Sequence, residues 1–342
     1  LEKKGQDLKT DRNPTGLNRV EAENRCIDAS PNSVCSPSIN AMGSRILGFA
    51  LIIISAAAFG TLAIFGKYAL GDGMDAITIV FFRFSLATVL MMILLVANRE
   101  PFPRGLTLIK LLGMGAVGYV GQAFCYFSAL NYASAGLVAL LFYLYPIFVA
   151  VLSATFLHEP ITRIKIIALV TALVGIAFTV GPENGQTLGV ILAVSTALIY
   201  SVYIIVGTNV IQKVSVIQAS TVIFASAGVM SGLLMLVNGP HLPATTTGWT
   251  VIVLIVLVAT VLPVVTFLAG LRLIGPTNAA MLSTLEPVVT VLLAALLFGE
   301  MLKPITLIGG GLILSAVLLL THDEMKPPAS GRTKTTGPGL ES

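Results

Sequence analysis

A chain of 342 residues that is 56% hydrophobic and only 11% charged, with a mean hydropathy of +0.93, excludes an ordinary soluble domain, in which about a quarter of residues are charged. A formal net charge of +4 could suit nucleic acid, but the basic residues are scattered through short loops and tails, so no nucleic-acid partner is expected. The three cysteines, Cys26, Cys35 and Cys125, show neither a CxxC pair nor metal-ligand spacing, which argues against a disulfide framework, a metal site or a metal cofactor.

Residues 1–44 are polar, rich in charge, Asn, Ser and Pro, and lack hydrophobic periodicity, which predicts a disordered tail. No apolar segment follows directly on a basic start, so this is not a secretory signal, and Met42 is a candidate natural start. From residue 46 apolar runs follow one another across short breaks, and at about 20 residues per span they divide into ten predicted helices. These cover residues 46–70, 76–97, 106–130, 133–156 and 164–180, then 187–207, 216–237, 248–270, 276–298 and 305–321. Residues 322–342 are polar again and read as a second disordered tail.

Two stretches repeat one another: LNYASAGLVALLFYLYPIFVAVLSATFLHE at 130–159 and LRLIGPTNAAMLSTLEPVVTVLLAALLFGE at 271–300. Pro146 and Pro287 lie 141 positions apart, and so do Glu159 and Glu300. ISAAAFG at 54–60 likewise matches VSTALIY at 194–200. The repeats therefore occupy 45–185 and 186–321. Five helices per repeat is odd, so the second copy enters the membrane from the opposite side. The expected fold is an all-α polytopic membrane protein of ten transmembrane helices in two inverted-topology five-helix repeats. Rocking one half against the other exposes a central site to each side in turn, which is the layout of a secondary transporter.

Lysine and arginine set the expected orientation. With a cytoplasmic N-terminus only Lys67 and Lys303 fall outside and Arg83 within a span, and every other one of the 20 lies on the inside or in the tails. Both termini are thus expected in the cytoplasm. Glu159 and Glu300 each stand just before a following helix, where a carboxylate complements the helix dipole, a structural role. The glycines at 309–311 suit close helix packing.

An ionic side chain near the bilayer centre costs about 2.5–3.5 kcal/mol on insertion scales, so Arg83 and Glu286 each need a reason. At ~1.5 Å per residue, they lie roughly 12 and 15 Å from the starts of their helices. They are substrate or proton ligands, or else an interhelical ion bridge that fixes packing. Ala279, Ser283, Glu286 and Thr290 form one polar stripe, which in lipid must face the protein interior, and Pro287 can kink the helix beside the acid. Gly115, Tyr119, Gln122 and Tyr126, and Thr196, Tyr200, Tyr203 and Gly207, form two further stripes. Tyrosines suit an amphipathic organic solute, or equally core packing. Lys67 sits at the outer end of the first helix, where it can join the site or snorkel to the headgroups.

The two glutamate-terminated repeats LYPIFVAVLSATFLHE and LEPVVTVLLAALLFGE, with Arg83 inside the second helix and Lys67 closing the first, resemble the EamA-like branch of the drug/metabolite transporter superfamily. The resemblance covers 46–321 and implies a ten-helix exporter of small metabolites, often amino acids, in a bacterial inner membrane. Phe224 and Gly207 fall near the positions matching Arg83 and Lys67, so the charges are not duplicated.

No GxxxxGK[ST] loop and no soluble nucleotide domain occur, so a solute or ion gradient must supply the energy, with protons the expected coupling ion at an intramembrane acid. HExxH and GxSxG are also missing, which argues against an enzyme. A passive channel and a non-catalytic membrane partner protein are the alternatives, and a homodimer in the lipid bilayer is compatible with the sequence.

Overall fold

The computed structural model describes residues 39–129, 131–133, 135–180, 186–298 and 304–324. Most of the two predicted tails, the turn at 181–185, Cys26, Cys35, Glu300 and Lys303 lie outside these residues. Within them the elements are α1a (Ile39–Gly60), α1b (Leu62–Gly71), α2 (Ala76–Ala97), α3a (Gly105–Gly113), a π-helical turn (Met114–Tyr119) and α3b (Val120–Ala129). They continue with α4a (Ala135–Phe142), α4b (Tyr145–Leu152) ending in a π turn (Ser153–Leu157), α5 (Arg163–Val180), α6 (Thr187–Ile211) and α7 (Val216–Asn238). Next come α8a (Thr246–Val256), a π turn (Leu257–Val261) and α8b (Leu262–Ile274). Last are α9a (Pro276–Leu282), a 3-10 turn (Ser283–Leu285), α9b (Glu286–Phe298) and α10 (Pro304–Glu324).

Every described segment of length is helical, because lipid offers backbone N–H and C=O groups no other partner. Nine helices among the described residues are long and apolar enough to cross a membrane. The 18-residue α5 stands in the place of the remaining predicted span and pairs along its length with α10. The surface carries Val96, Leu106, Val117, Leu296 and Leu318, while Ala56, Ala87, Ala172, Ala197, Ala279 and Ala280 are buried. Large apolar side chains face outward as well as filling the core, and buried alanines let helices approach closely. Helix α1 begins at Ile39 rather than residue 46, and α10 runs on to Glu324. Once a helix is nucleated, each added turn beyond the bilayer costs little.

The packing obeys an inverted two-fold relation. Equivalent helices meet each other as α2 with α7, α4b with α9a and α5 with α10, while α1b against α8a is matched by α6 against α3a. The irregularities match as well. The π turn of helix 3, shifted by the repeat offset, overlaps the π turn of helix 8, and α4b and α9b start at Tyr145 and Glu286, which are equivalent positions. Close approach builds these crossings. A Cβ on Gly115 would overlap Ser226 Oγ and the Ile223 carbonyl of α7. Backbone cannot yield as a side-chain tip does, so Gly115→Leu is expected to give no monodisperse protein by size-exclusion chromatography in detergent. The Gly115 end of the helix 3 stripe is therefore a packing contact, as is Gly207, whose Cβ would stand 3.1 Å from Met114 Cε.

The face at which α1 begins is called the near face and its opposite the far face. Each is tied across the repeats. At the far face Asp72 accepts hydrogen bonds from Thr245 Oγ1 (2.6 Å) and Thr245 N–H (3.1 Å). Those bonds, the Thr245 hydroxyl first, hold its carboxyl below the ordinary range. At the near face Ser215 donates to Glu100, and Gln218 Nε2 donates to the Pro101 carbonyl at 2.6 Å.

Glu159 corrects one expectation. Helix α5 is capped not by it but by Thr162, whose Oγ1 accepts from the Lys165 N–H at 3.2 Å. The chain leaves helix 4 through His158 in the left-handed conformation (φ 56°), and the Glu159 carboxylate instead accepts from Ser153 Oγ, from Thr277 Oγ1 at 2.8 Å and from Lys165 Nζ at 3.1 Å. Burial alone would raise the Glu159 carboxyl, but these three partners together hold it below its ordinary value of 4.5. A depressed carboxyl contributes stability that is complete above its unfolded pKa and lost as pH falls through the folded one. The gap in thermal midpoint between wild type and Glu159→Gln should therefore stay constant between about pH 6 and 8. It should close as the pH drops below 4.5.

Candidate functional site

The breaks in helices 4 and 9 position the candidate site. Pro287 sits at the second position of α9b and cannot donate the N–H that would continue the helix, so Ser283–Leu285 tighten into a 3-10 turn and α9b restarts at Glu286. Pro146 does the same for α4b after Tyr143 and Leu144. Each restart is crossed by the first helix of a repeat. On one side Gly60 of α1a packs so closely on α9b that its Cβ would stand 2.9 Å from Val289 Cβ and 3.0 Å from the Glu286 carbonyl. On the other, Tyr200 of α6 meets Tyr145 edge-on with ring centroids 5.0 Å apart, and Ser201 Oγ donates to the Tyr145 carbonyl at 3.1 Å. The same crossing is thus made once with Gly and Glu and once with two tyrosines.

Glu286 is half-buried, and its carboxylate makes no hydrogen bond and no ion pair within 4 Å among the described residues. Its position in the repeat is that of Tyr145, whose ring belongs to a connected aromatic set. The rings form one connected aromatic wall. Tyr119 meets Tyr203 at 5.0 Å, Tyr203 stacks on Tyr200 at 5.8 Å, and Phe142 bridges Tyr200 (5.6 Å), Tyr145 (5.3 Å) and Tyr126 (6.1 Å). At the far end of this chain of rings Phe84 touches Tyr119 at 5.2 Å. The two tyrosine stripes of helices 3 and 6 are therefore one surface, and Gln122 lies on it, half-buried and without a hydrogen bond to a described residue.

Arg83 does not bridge to Glu286. Its Nε donates to Thr260 Oγ1 at 2.7 Å and its Nη2 to the Ala259 carbonyl at 3.2 Å, with the guanidinium 5.1 Å from the Phe84 ring centre. Both acceptors belong to the π turn of helix 8. A π turn widens the helix and lets a carbonyl turn toward a lateral donor, so the irregularity exists where the arginine needs it. Of the five guanidinium N–H donors, Arg83 has engaged Nε and Nη2 in this way, and Phe224 at the equivalent place packs on Phe84 at 5.9 Å.

The remaining candidates divide. Ser283 is buried and donates to the Ala279 carbonyl at 2.9 Å, lying one helical turn from Glu286. Thr290 Oγ1 donates to the Gly60 carbonyl at 2.9 Å and so fastens α1a to α9b. Lys67 is exposed on α1b. Sequence reasoning missed Tyr143, Tyr145 and Phe142 as wall residues, although Tyr145 is the position equivalent to Glu286. It also missed Thr260, for which composition and spacing hold no signal.

Known proteins with this pattern are transporters. Residues 46–181 and 187–322 each match the EamA-like transporter family. The chain is 23% identical to the uncharacterized transporter YcbK of Bacillus subtilis, over 82% of this chain and 94% of that protein. It is 26% identical to an uncharacterized transporter of Archaeoglobus fulgidus, over 80% and 95%. A crystal structure superposes with a TM-score of 0.70 over 83% of this chain and 99% of the other at 20% identity, a likeness of fold. Two matched repeats, broken fourth and ninth helices at equivalent places and transporter relatives along most of its length assign this multi-pass membrane protein: the chain belongs to the EamA-like transporter family.

Proposed function

We propose that the protein is a secondary active exporter of small organic metabolites such as amino acids, working by alternating access around Glu286. The near face is then cytoplasmic and the membrane the cell's inner membrane, a reading supported by the concentration of lysine and arginine on the near-face loops. The observation that carries the proposal is a half-buried carboxylate with no hydrogen-bond or ion-pair partner among the described residues, at a helix break equivalent to the one that carries Tyr145 of the aromatic wall. In a membrane such a charge is costly, and a solute ammonium or a proton would offset that cost. A zwitterionic solute would place its amino group on Glu286, its carboxylate toward the unused donors of Arg83 and its apolar part on the rings.

The packing of helices 4 and 9 supports alternation. From Pro276 to Leu285 every residue of helix 9 is buried, against α4b at the near face. Beyond Glu286 only Pro287 among the described α9b residues is buried, and no comparable packing joins α9b to α4a. That is the arrangement of a state shut on one side and looser on the other. Flux of candidate amino acids into proteoliposomes, with and without an imposed pH gradient, tests the proposal. Saturable flux that responds to the gradient is expected. Unsaturable flux would instead mark a channel, and no flux of any small metabolite would refute transport.

A further inference from the structure

Glu159 joins helix 4 and α5 to helix 9, and helix 9 must part from helix 4 if the near face is to open. We propose that Glu159, Ser153, Thr277 and Lys165 form a latch that holds helix 9 against helix 4 at the near face and is broken and remade in each transport cycle. The proposal rests on the alternating-access reading, but its test reads opening of the fold and does not depend on the solute.

The partners come from both repeats. Ser153 lies in the last turn of helix 4 and Lys165 in the first turn of α5, both in the first repeat, whereas Thr277 stands at the start of α9a in the second. The Glu159 carboxylate accepts from all three, so the single cross-repeat bond from Thr277 at 2.8 Å is made by a carboxylate already oriented by Ser153 and Lys165. The ion pair is not a solvated surface contact, since the side chains of Lys165 and Glu159 are 7% and 19% exposed. Bonds to a charged, partly buried acceptor are stronger than neutral ones, yet they break without disturbing either helix internally. That combination suits a contact meant to be reversible.

The repeat does not duplicate the set of latch residues. By the 141-residue offset Glu159 corresponds to Glu300, but Ser153 corresponds to Ala294, Thr277 to Gly136 and Lys165 to Thr306. At the matching positions the second copy has the acid but not the cross-repeat hydroxyl, the serine or the lysine. Among the described residues the far face is tied between loops, through Asp72 and Thr245. A latched near face rests shut, and the complete burial of Pro276–Leu285 agrees.

Hydrogen exchange of the full chain in lipid nanodiscs tests this. The amides of residues 277–285 are expected to exchange roughly tenfold faster or more in Thr277→Val and in Glu159→Gln. Thr277→Ser, which keeps the hydroxyl, should restore the wild-type rate, and Asp72→Asn at the far face should leave these amides unchanged. Protection of 277–285 that is unaltered in both Thr277→Val and Glu159→Gln would overturn the latch. So would a rise spread evenly over all helices, since that marks general loosening. Because Thr277→Val changes no charge, it keeps the test decisive if Glu159→Gln fails to fold.

Discussion

Glu286→Gln is expected to abolish gradient-coupled transport while leaving the fold at least as stable as wild type. The two halves of this expectation have one cause. The Glu286 carboxylate has no hydrogen-bond or ion-pair partner among the described residues, so none of them loses a bond when the charge goes. An intramembrane charge costs about 2.5–3.5 kcal/mol on insertion scales, and its removal should raise the thermal midpoint or leave it in place. A solute or proton, by contrast, loses its counter-charge. A hydrogen bond to a charged group contributes about 1.5–3 kcal/mol, which by the usual conversion is a fall of roughly ten- to hundredfold in transport at limiting solute. The measurement is initial uptake in proteoliposomes over a range of imposed pH gradients, paired with thermal unfolding in detergent. A variant that kept wild-type rate and pH dependence would remove Glu286 from the mechanism. One that unfolded early would show that the acid serves packing.

Arg83→Lys is expected to behave in the opposite way, losing stability together with transport. The guanidinium spans two acceptors of the helix 8 π turn, Thr260 Oγ1 at 2.7 Å and the Ala259 carbonyl at 3.2 Å. An ammonium keeps the charge but not the planar fork, and the acceptor it abandons is left in a low-dielectric interior at about 1–3 kcal/mol. Thr260→Val should cost less, because Ala259 stays bonded. Double-mutant cycles on stability separate this from an ion bridge. Coupling between positions 83 and 260 should be on the order of 1 kcal/mol or more, and that between 83 and 286 within about 0.5 kcal/mol of zero. Strong coupling between 83 and 286 would restore the ion bridge and displace the π-turn account.

The asymmetry between the repeats explains why these two charges differ in kind. Where Arg83 stands the second repeat has Phe224, and where Glu286 stands the first has Tyr145. Duplication supplied two equivalent helix breaks and two equivalent π turns. A charge stands at or against one of each pair. Arg83 became part of the scaffold by bonding to its π turn, while Glu286 stayed unbonded at its break. Function is expected where the halves disagree and the protein leaves a group unsatisfied.

Much of this was legible in the sequence. The bilayer demands apolar runs of fixed length and satisfied backbone, so the ten helices, their inverted repeat and the breaks beside Pro146 and Pro287 follow from residue order alone. The depth of Arg83 and Glu286 and the helical stripes of Tyr119, Tyr126, Tyr200 and Tyr203 are likewise set by a period of 3.6 residues. What each of these groups touches was decided only in three dimensions. Arg83 was equally able to pair with Glu286 until the helix 8 π turn offered Ala259 and Thr260. Glu159 was an ordinary helix-start carboxylate until His158 turned the chain and aimed it at Thr277. Both outcomes depend on local backbone geometry and on contacts between residues more than a hundred positions apart, and neither leaves a periodic or compositional trace, which is why the sequence determined the frame and the tertiary structure decided the partners.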